Sequence, residues 1–465
     1  MTQKEYHRNF NEVSEAIEQF DILYLFNGYI NSSEKKWMFT HTFLEHRDLS
    51  QRADKWIFVK FLVALLIFKL LFIFKSKNVI NSKYILLDSP DTLYHSLQKV
   101  EESLDDVGYL FFPCFKFNRI RKLVQYNASK HIGQTFVNYS LFDIFRFGRF
   151  YFRNLRRIQL FLRAVSRGNA FDKSELFLLR LFFYLKYVVK KIEFCNNTII
   201  VKYDLAPEHL ALLLSRNGNK RYQTVCINHG AMWGYNDFYI YSSADYQLCV
   251  SEREKQIICK YGNKNYDNVF CIGSPLQSFE KFNIGLKTNN NVHGDRVLVL
   301  LTCINDADLA LKQIKVLDYL LMMKVDLTLR FRPASKEKDK IALASYLNNN
   351  RIVVSEGNTL LEDLSCHETV VTFSIDTVPI IYSSKRKMFV VLPDNYDFEG
   401  LISSNFVVSE NFKLLDGFIN YPDAFSKSKS IDDYYIKNFG EYREPRVLAN
   451  LKDVLEKISN RVFGK

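Results

Sequence analysis

A histidine and an aspartate stand where two apolar segments of the sequence stop. His229 lies in "TVCINHGAMWGY", where the apolar run 224–227 is followed by Asn, His and Gly. Asp204 closes a similar run, "TIIVKYD" (198–204). An imidazole with an unperturbed pKa near ~6.5 accepts a hydroxyl proton at neutral pH, and a carboxylate can fix its tautomer. We predict His229 as a general base, with Asp204 as its orienting partner or as the base itself. The alternative is a strand-capping histidine bonded to the backbone.

A second group of residues has the chemistry to bind an anion. Arg330 and Arg332 in "LRFRPAS" have the i, i+2 spacing that puts two strand side chains on one face. Two guanidinium groups there would neutralise a diphosphate or a carboxylate. Ser374 and Thr377 in "TFSIDTVPIIYSSKR" stand between a strand and a helix, where hydroxyl and N–H groups bind phosphate. An ordinary helix N-cap is the alternative for this pair. Ser274 in "GSP" follows another strand and is a further candidate binding residue.

Strands that alternate with helices must position these residues. From Lys83 onward, short apolar runs alternate with amphipathic stretches, which predicts parallel sheets with ligands beyond the carboxyl ends of the strands. The polar stretch "NIGLKTNNNVHGD" (283–295) breaks the alternation and is the predicted linker. The predicted fold class is α/β, with two Rossmann-like domains facing across a cleft and a helical N-terminal extension. The predicted boundaries are 1–80 for the extension, 81–282 for the first domain and 296–465 for the second.

Composition places the chain among globular proteins of a reducing compartment. Its 465 residues suit two domains, and a hydrophobic content of 48% excludes a disordered chain. The eight cysteines form no Cys-x-x-Cys pair and mostly lie in apolar runs, so we expect buried thiols, not disulfides or zinc ligands. The first twenty residues are polar and predict a helix, not a secretory signal. We therefore expect a cytoplasmic protein.

Most of the net charge of +12 comes from one segment. Residues 111–167 hold twelve Lys and Arg against a single acid, Asp143. Within it, "FRFGRFYFRNLRRIQLFLRAVSRG" alternates Arg with Phe, Leu and Ile at near-helical spacing, which predicts a helix at an anionic membrane surface. One alternative is a helix that packs through its apolar face and leaves the arginines in water. Nucleic acid is the other, but the chain has no recognised nucleic-acid motif.

A second segment raises the question of a membrane helix. "WIFVKFLVALLIFKLLFIF" (56–74) is long enough to span a bilayer, but it contains Lys60 and Lys69. Each lysine costs ~3 kcal/mol at the bilayer centre, and each large apolar residue returns ~0.3–0.6 kcal/mol, so the sum is near zero. The lysines are nine residues apart, so we expect no one-sided segment. We prefer a helix docked on a membrane to one that spans it.

Local patterns along residues 195–395 resemble the bacterial GT-B surface-polysaccharide transferases. These are the sialyltransferase- and Kdo-transferase-like capsule and lipopolysaccharide enzymes and, more distantly, the teichoic-acid glycerophosphotransferases. "INHGAMW" resembles the family's Gln-His-Gly or Trp-His-Gly element, and "TFSIDT" resembles its Ser-Ser/Thr donor-phosphate element. "RFRPAS" stands where the family often has a His-Pro pair, and "CVSEREKQIICKYG…VFCIGSP" resembles the stretch before it. Asn228 replaces the usual Gln, and Arg332 replaces the His.

The resemblance implies a metal-independent glycosyltransferase that moves a sugar from a nucleotide donor to a growing, lipid-linked surface glycan. In this reading the first domain binds the acceptor and the second binds the donor, whose favoured form is a CMP-linked acidic sugar. Helix dipole and cations meet the donor phosphate in place of Mg²⁺. Arg330, Arg332, Ser374 and Thr377 would hold that phosphate, and His229 or Asp204 would take the acceptor proton.

The expected partners are the nucleotide-sugar, the lipid-linked glycan acceptor and an anionic membrane surface, with no nucleic acid and no cofactor. The expected location is the inner face of the cytoplasmic membrane. Two alternatives stay open: a CDP-polyol phosphotransferase of the glycerophosphotransferase type, and a non-catalytic membrane-associated adaptor.

Overall fold

In the residues that it describes, a computed structural model of the chain contains two large parallel β-sheets, each covered by helices. The structure describes residues 3–26, 29–30, 32–45, 56–72, 79–80, 82–88, 104–113, 133–165, 172–201, 206–216, 222–227, 242–262, 264–273, 296–302, 307–332, 336–355, 359–374, 377–392, 401–425, 431–441 and 443–463.

The first sheet has seven described strands. They are β2 (Tyr84–Asp88), β3 (Val107–Phe111), β4 (Gly133–Phe136), β6 (Asn197–Val201), β7 (Tyr222–Ile227), β8 (Tyr246–Cys249) and β9 (Val269–Cys271). They are all parallel, in the order β4-β3-β2-β6-β7-β8-β9. Every residue of β6 and β7 is buried, as expected for parallel strands covered on both faces. The strand order reverses between β2 and β6. Two short strands, β1 (Val79–Ile80) and β5 (Glu193–Phe194), pair separately.

Eight of the described helices belong to this part of the chain. They are α1 (Gln3–Gln19), α2 (Ile22–Leu25), α3 (Ser33–Glu45), α4 (Ile57–Phe72), α5 (Leu141–Val165), α6 (Asp172–Phe183), α7 (Pro207–Ser215) and α8 (Glu252–Tyr261). α6 continues through a π-helical turn (Tyr184–Val188) into a 3₁₀ turn (Val189–Lys191). Phe26, directly after α2, stacks on Phe182 of α6 with 4.4 Å between the ring centroids. The N-terminal helices therefore share one hydrophobic core with the first sheet.

The second sheet has six described strands, also all parallel. They are β10 (Arg296–Leu300), β11 (Asp326–Arg330), β12 (Ile352–Val354), β13 (Thr369–Thr372), β14 (Lys387–Val391) and β15 (Phe406–Ser409). Their order is β12-β11-β10-β13-β14-β15, so the order reverses between β10 and β13. Alternate residues of β10 lie in two different hydrophobic clusters. Val297 and Val299 belong to one cluster, and Leu298 and Leu300 belong to the other.

Seven described helices lie in this half of the chain before the last one. They are α9 (Ala307–Met322), α10 (Lys336–Ala342), α11 (Ala344–Leu347), α12 (Leu360–Cys366), α13 (Val378–Ser383), α14 (Leu415–Asn420) and α15 (Ile431–Phe439). Tyr435 and Phe439 of α15 are buried in the core of the second sheet. α15 also contacts α8, which belongs to the first sheet.

The last helix, α16 (Glu444–Phe463), leaves the second sheet and packs on the first. Its buried residues Leu451, Leu455 and Ile458 belong to the core of the first sheet. Gly440, between α15 and α16, has a φ of +87°, and a Cβ built on it would overlap the carbonyl oxygen of Val250. The backbone at Gly440 can pass this close to the Val250 carbonyl because glycine has no Cβ.

The predicted fold class is confirmed. The chain has two Rossmann-like parallel sheets and a helical N-terminal region, the architecture called GT-B. The cysteines that the structure describes are free thiols, and Cys195 among them is exposed. In the described parts of the chain, no helix is both long and apolar enough to cross a membrane.

Candidate functional site

The carboxyl edge of the second sheet collects four of the residues that the sequence singled out. Arg330 ends β11 and Arg332 follows it, and Ser374 and Thr377 follow β13. β11 and β13 flank β10, and the strand order reverses at β10 and β13, where ligands bind in open parallel sheets. Strands are ~4.8 Å apart, so the backbones that carry Arg332 and Ser374 are separated by about 10 Å across this edge.

Hydrogen bonds fix the turn between β13 and α13. The Thr377 hydroxyl donates to the carbonyl oxygen of Ser374 at 2.7 Å and lies 2.8 Å from the Thr372 hydroxyl. The Ser374 N–H donates to the Thr372 hydroxyl at 3.1 Å. Thr377 occupies the N-cap position of α13, but its side chain accepts no hydrogen bond from the helix. The only proton of the Thr377 hydroxyl is therefore used to shape the turn.

Ser374 differs from Thr377 in this respect. Its side chain is half-buried at the strand end, and its hydroxyl makes no hydrogen bond with any residue that the structure describes. A serine hydroxyl can donate one hydrogen bond to a phosphate oxygen. Of the two hydroxyls predicted to meet a phosphate, that of Ser374 is the one placed to do so.

The two arginines of "RFRP" have different environments. The Arg330 guanidinium forms an ion pair with the Asp363 carboxylate and donates to the Thr359 carbonyl oxygen at 3.1 Å. Asp363 also accepts from the Ser355 hydroxyl at 2.6 and 2.7 Å. Arg330 thus fastens α12 to the sheet, and the Asp363 carboxylate neutralises its charge. The Arg332 side chain is exposed at the same edge.

Asp363 and its neighbours on α12 form a network that the sequence did not reveal. Glu362 and Thr359 make a reciprocal capping box, in which the Glu362 N–H donates to the Thr359 hydroxyl at 3.2 Å. His367 donates from Nδ1 to the Asp363 carbonyl oxygen at 2.7 Å, so its Nε2 accepts from Thr328 at 2.8 Å. These polar groups hold α12 in place. Only the Thr-x-x-Glu spacing of the capping box was a usable sequence signal.

The other predicted site residues, His229, Asp204 and Ser274, lie outside the described residues. The strands that precede them are described. β6 ends at Val201 and β7 at Ile227, so Asp204 and His229 come three and two residues after the carboxyl ends of neighbouring strands. β6 also pairs with β2 where the strand order of the first sheet reverses.

A buried ion pair stands at the start of α7, a few residues after Asp204 in the chain. The Arg180 guanidinium pairs with the Glu208 carboxylate, whose side chain is only 1% exposed. Burial opposes the charge of Arg180, but the Glu208 carboxylate and the Tyr184 hydroxyl together outweigh burial and hold the pKa of Arg180 above its ordinary value. The Arg180 Nε also donates to the Tyr184 hydroxyl at 3.3 Å, and that hydroxyl donates to the Pro113 carbonyl oxygen. The pair fixes where α7 begins. No sequence signal joins residues so far apart in the chain.

Among the described residues, no cluster of three or more His, Cys, Asp or Glu side chains is arranged to hold a metal ion. The donor set at the carboxyl edge of the second sheet is hydroxyl and guanidinium, which suits an anion. A hydroxyl such as that of Ser374 and a guanidinium such as that of Arg332 are groups that can bind a phosphate.

No family model and no curated protein matches the chain. Solved structures of similar fold include TarM, at 10% identity over 82% of this chain and 98% of that one, with a TM-score of 0.49. HepE of Anabaena, solved with UDP and glucose, has 11% identity over 82% and 100% of the two chains and a TM-score of 0.46. UDP-N-acetylglucosamine 2-epimerase from Rickettsia bellii has 10% identity over 83% and 100%, also with a TM-score of 0.46.

Proposed function

We propose that the protein is a glycosyltransferase that takes its sugar from a nucleotide donor bound at the carboxyl edge of the second sheet. One observation carries the proposal. The exposed Arg332 and the Ser374 hydroxyl come directly after the two strands that flank β10, at the point where the strand order reverses. A guanidinium and a hydroxyl at this point match the charge and the acceptor oxygens of a nucleotide phosphate.

The reaction is a displacement at the anomeric carbon of the donor sugar. The acceptor oxygen forms a bond to that carbon, and the bond from the carbon to the donor phosphate breaks. His229, oriented by Asp204, takes the acceptor hydroxyl proton, or Asp204 takes it directly. Arg332 and Ser374 stabilise the charge that develops on the departing phosphate. Arg330 and Thr377 act indirectly, because one holds α12 and the other shapes the turn that carries Ser374.

The finer assignment follows the sequence patterns. The donor is proposed to be a CMP-linked acidic sugar, and the acceptor a lipid-linked surface glycan of the capsule or lipopolysaccharide kind. Residues 81–282 would bind the acceptor and 296–465 the donor, across the cleft between the two domains. "INHGAMW", "RFRPAS" and "TFSIDT" support this assignment. The enzyme would work as a peripheral protein at the inner face of the cytoplasmic membrane.

A donor panel tests the proposal. Purified protein is incubated with CMP-, UDP- and GDP-sugars and with CDP-glycerol in the presence of a lipid-linked glycan, and released nucleotide and extended glycan are measured. Transfer of a sugar with release of one nucleotide is expected. Consumption of CDP-glycerol alone would support the phosphotransferase, and conversion of a nucleotide-sugar without transfer would contradict a transferase.

The His229→Ala variant separates catalysis from scaffolding. Loss of a general base commonly costs ~10²–10⁴-fold in rate, so turnover should fall by that factor while the melting midpoint and nucleotide binding stay at wild-type values. Unchanged activity would transfer the base role to Asp204. Full function of His229→Ala and Asp204→Ala together would favour the non-catalytic adaptor.

A further inference from the structure

α4 turns an apolar stripe toward solvent. Its inner face is buried, with Phe61, Leu65 and Phe68 in the core of the first sheet. Its outer face, together with the residue before it, exposes large apolar side chains. These are Trp56, Val59, Val63, Leu66, Leu70 and Leu71, exposed by 39 to 66%. Lys60 is exposed among them, whereas Lys69 donates to the Asn138 side-chain oxygen at 2.9 Å. α4 is thus one-sided in its packing, although the positions of its lysines predicted otherwise.

The outer face of α5 combines aromatic rings with cations. Its exposed large apolar residues are Leu141, Phe142, Phe145, Phe152 and Leu160. Its exposed arginines are Arg146, Arg149, Arg153, Arg156 and Arg163. Asp143, the one acid in α4 and α5, is buried and bonded to Lys191 at 2.5 Å. The Lys191 contact and the Ser140 hydrogen bonds outweigh burial and lower the pKa of Asp143. The outer face of α5 therefore carries positive charge only.

The two outer faces adjoin. Phe58 of α4 stacks on Tyr151 of α5 at 4.0 Å between ring centroids, and it meets the exposed ring of Phe152 edge-on at 5.2 Å. Phe61 packs against Phe147. Because both helices lie on the same core side by side, their outer faces turn away from that core together. Of the nineteen large apolar side chains exposed in the described part of the chain, eleven belong to this α4–α5 face.

We infer that the α4–α5 face binds the surface of an anionic lipid bilayer, with both helices lying in the plane of the headgroups. Phenylalanine, leucine and tryptophan side chains enter the boundary between headgroups and acyl chains, and flanking arginines pair with lipid phosphates. Arginine stems can cover apolar surface while their charged ends stay in water. On α5, the exposed Phe145 beside Arg146 and the exposed Phe152 beside Arg153 supply both contacts.

Charge and composition favour a bilayer over other occupants. A second copy of this face would set five arginines against five others, which like-charge repulsion disfavours. Nucleic acid would pair with the arginines but would leave the apolar stripe of α4 in water. A bilayer with acidic lipids covers both.

Binding of the α4–α5 face to a bilayer does not depend on the proposed sugar transfer. Only its purpose, to hold the first domain at a lipid-linked acceptor, rests on the proposed function. The test therefore measures binding without any donor or acceptor, so that it can fail while sugar transfer to a soluble glycan succeeds, or the reverse.

Vesicle co-sedimentation of the full chain tests the inference. The probes are vesicles of phosphatidylcholine with 30% phosphatidylglycerol and vesicles of pure phosphatidylcholine. Binding to the acidic vesicles is expected at low salt, with a steep fall as salt screens the charges. The variant Arg149→Gln/Arg153→Gln/Arg156→Gln should lose about fivefold in partition for each arginine, or roughly 100-fold in all. Arg157 is left in place, because it packs over the Tyr24 ring beside Asp21.

Two matched controls separate this face from general effects of charge and hydrophobicity. Lys315→Gln/Lys413→Gln/Lys437→Gln removes the same charge from exposed sites of the second domain and should bind like wild type. Phe145→Ser/Leu70→Ser should lose roughly tenfold or more in partition. Met322→Ser/Ile341→Ser alters side chains of similar exposure elsewhere and should lose nothing.

Equal loss in the control variants would overturn the inference, as would wild-type vesicle binding by the arginine and Phe145/Leu70 variants. Concentration-dependent dimers that Phe145→Ser/Leu70→Ser abolishes, without vesicle binding by the wild type, would also overturn it. Circular dichroism of each variant confirms that a lost interaction does not reflect unfolding.

Discussion

The hydroxyl oxygens of Thr372 and Thr377 lie 2.8 Å apart across the turn that joins β13 to α13. The Thr377 hydroxyl donates its proton to the Ser374 carbonyl oxygen, so this turn is held from within. The Ser374 hydroxyl makes no such bond among the described residues. The two hydroxyls therefore have different roles. The Thr377 hydroxyl stabilises the turn, and the Ser374 hydroxyl is available to a ligand.

Exchanging these hydroxyls should separate stability from binding. Thr377→Val keeps the shape of the side chain but removes the bonds to Ser374 and Thr372, and should cost about 1 kcal/mol of unfolding free energy. Ser374→Ala should change stability by less than about 0.5 kcal/mol but weaken nucleotide binding. Denaturant unfolding and nucleotide titration of both variants check this. Greater destabilisation by Ser374→Ala than by Thr377→Val would contradict the assignment.

Asp245 should matter to stability and not to chemistry. It accepts two hydrogen bonds from Arg216, at 2.8 and 2.7 Å, and one from the Thr224 N–H at 2.8 Å. Burial opposes the charge of Arg216, but the Asp245 carboxylate and the Tyr222 hydroxyl together outweigh burial and raise the pKa of Arg216. Asp245→Ala leaves the Arg216 charge buried without its partner, so we expect a loss of about 3–5 kcal/mol.

This ion pair lies before β8, at the amino edge of the first sheet, away from the strand ends that carry the predicted site. Turnover per folded molecule should therefore stay at the wild-type value in Asp245→Ala. Chemical unfolding and an activity assay at low temperature measure the two quantities. A large fall in turnover with unchanged stability would refute the structural role.

Two glycines should respond to alanine in opposite directions. Gly440 has positive φ, and a Cβ there would overlap Val250, so Gly440→Ala should cost roughly 2–5 kcal/mol. Gly148 lies inside α5, and a Cβ there would meet nothing within 4 Å, so Gly148→Ala should gain about 0.5–1 kcal/mol. Thermal midpoints of the two variants against wild type give the signs. A stable Gly440→Ala protein would mean that the chain between α15 and α16 does not pass close to the Val250 carbonyl as described.

Lys186 should make the stability of the protein depend on alkaline pH. Burial and the neighbouring Lys190 lower the pKa of Lys186 to about 8, although its ammonium group lies 3.6 Å from the Phe150 ring centre. Between pH 8 and about 10.5 the unfolded chain keeps this proton and the folded chain releases it, so stability attributable to Lys186 rises with pH across that window. Below pH 8 both states are charged, and the folded state bears the cost of burial.

Lys186→Met isolates this contribution, because every other titrating group is common to both proteins. The variant should be more stable than wild type at pH 7, and the difference should shrink as pH rises from 8 to 10.5. Urea unfolding at pH 7, 8, 9 and 10 measures it. A difference that is constant with pH would show that the Lys186 pKa is ordinary.

Periodicity was sufficient to predict the alternation of strands and helices and the strand ends that carry the candidate residues. Runs such as "TIIV" are apolar throughout because a parallel strand is covered on both faces. Periodicity could not predict which sheet α16 packs on. The spacing of Leu451, Leu455 and Ile458 predicts an apolar helix face. No pattern within this segment of the sequence indicates that the face packs on the first sheet.

For the candidate residues that the structure describes, the position along the strands was predictable, and the contacts were less so. The i, i+2 spacing placed Arg330 and Arg332 at one strand end, as found, but the partner of Arg330 is Asp363, 33 residues away. An ion pair over that separation depends on how β11 and α12 come together, which no short pattern encodes. The hydrogen bond from Lys69 to Asn138 also joins residues far apart in the sequence, so no short pattern predicts it. This bond lets α4 bury one side despite its two lysines.

The most direct test of the central claim is the affinity of Arg332→Ala for a nucleotide. Calorimetric titration with CMP, CDP and UDP is run on wild type, on Arg332→Ala and on the control Arg351→Ala. Arg351 is exposed before β12, at the opposite edge of the same sheet, where it bonds to the Lys324 carbonyl oxygen at 2.7 Å. At least one nucleotide should bind wild type and Arg351→Ala equally, and bind Arg332→Ala roughly 10- to 100-fold more weakly. Equal affinity in all three proteins, or no binding of any nucleotide to wild type, would contradict a donor site at the carboxyl edge of the second sheet.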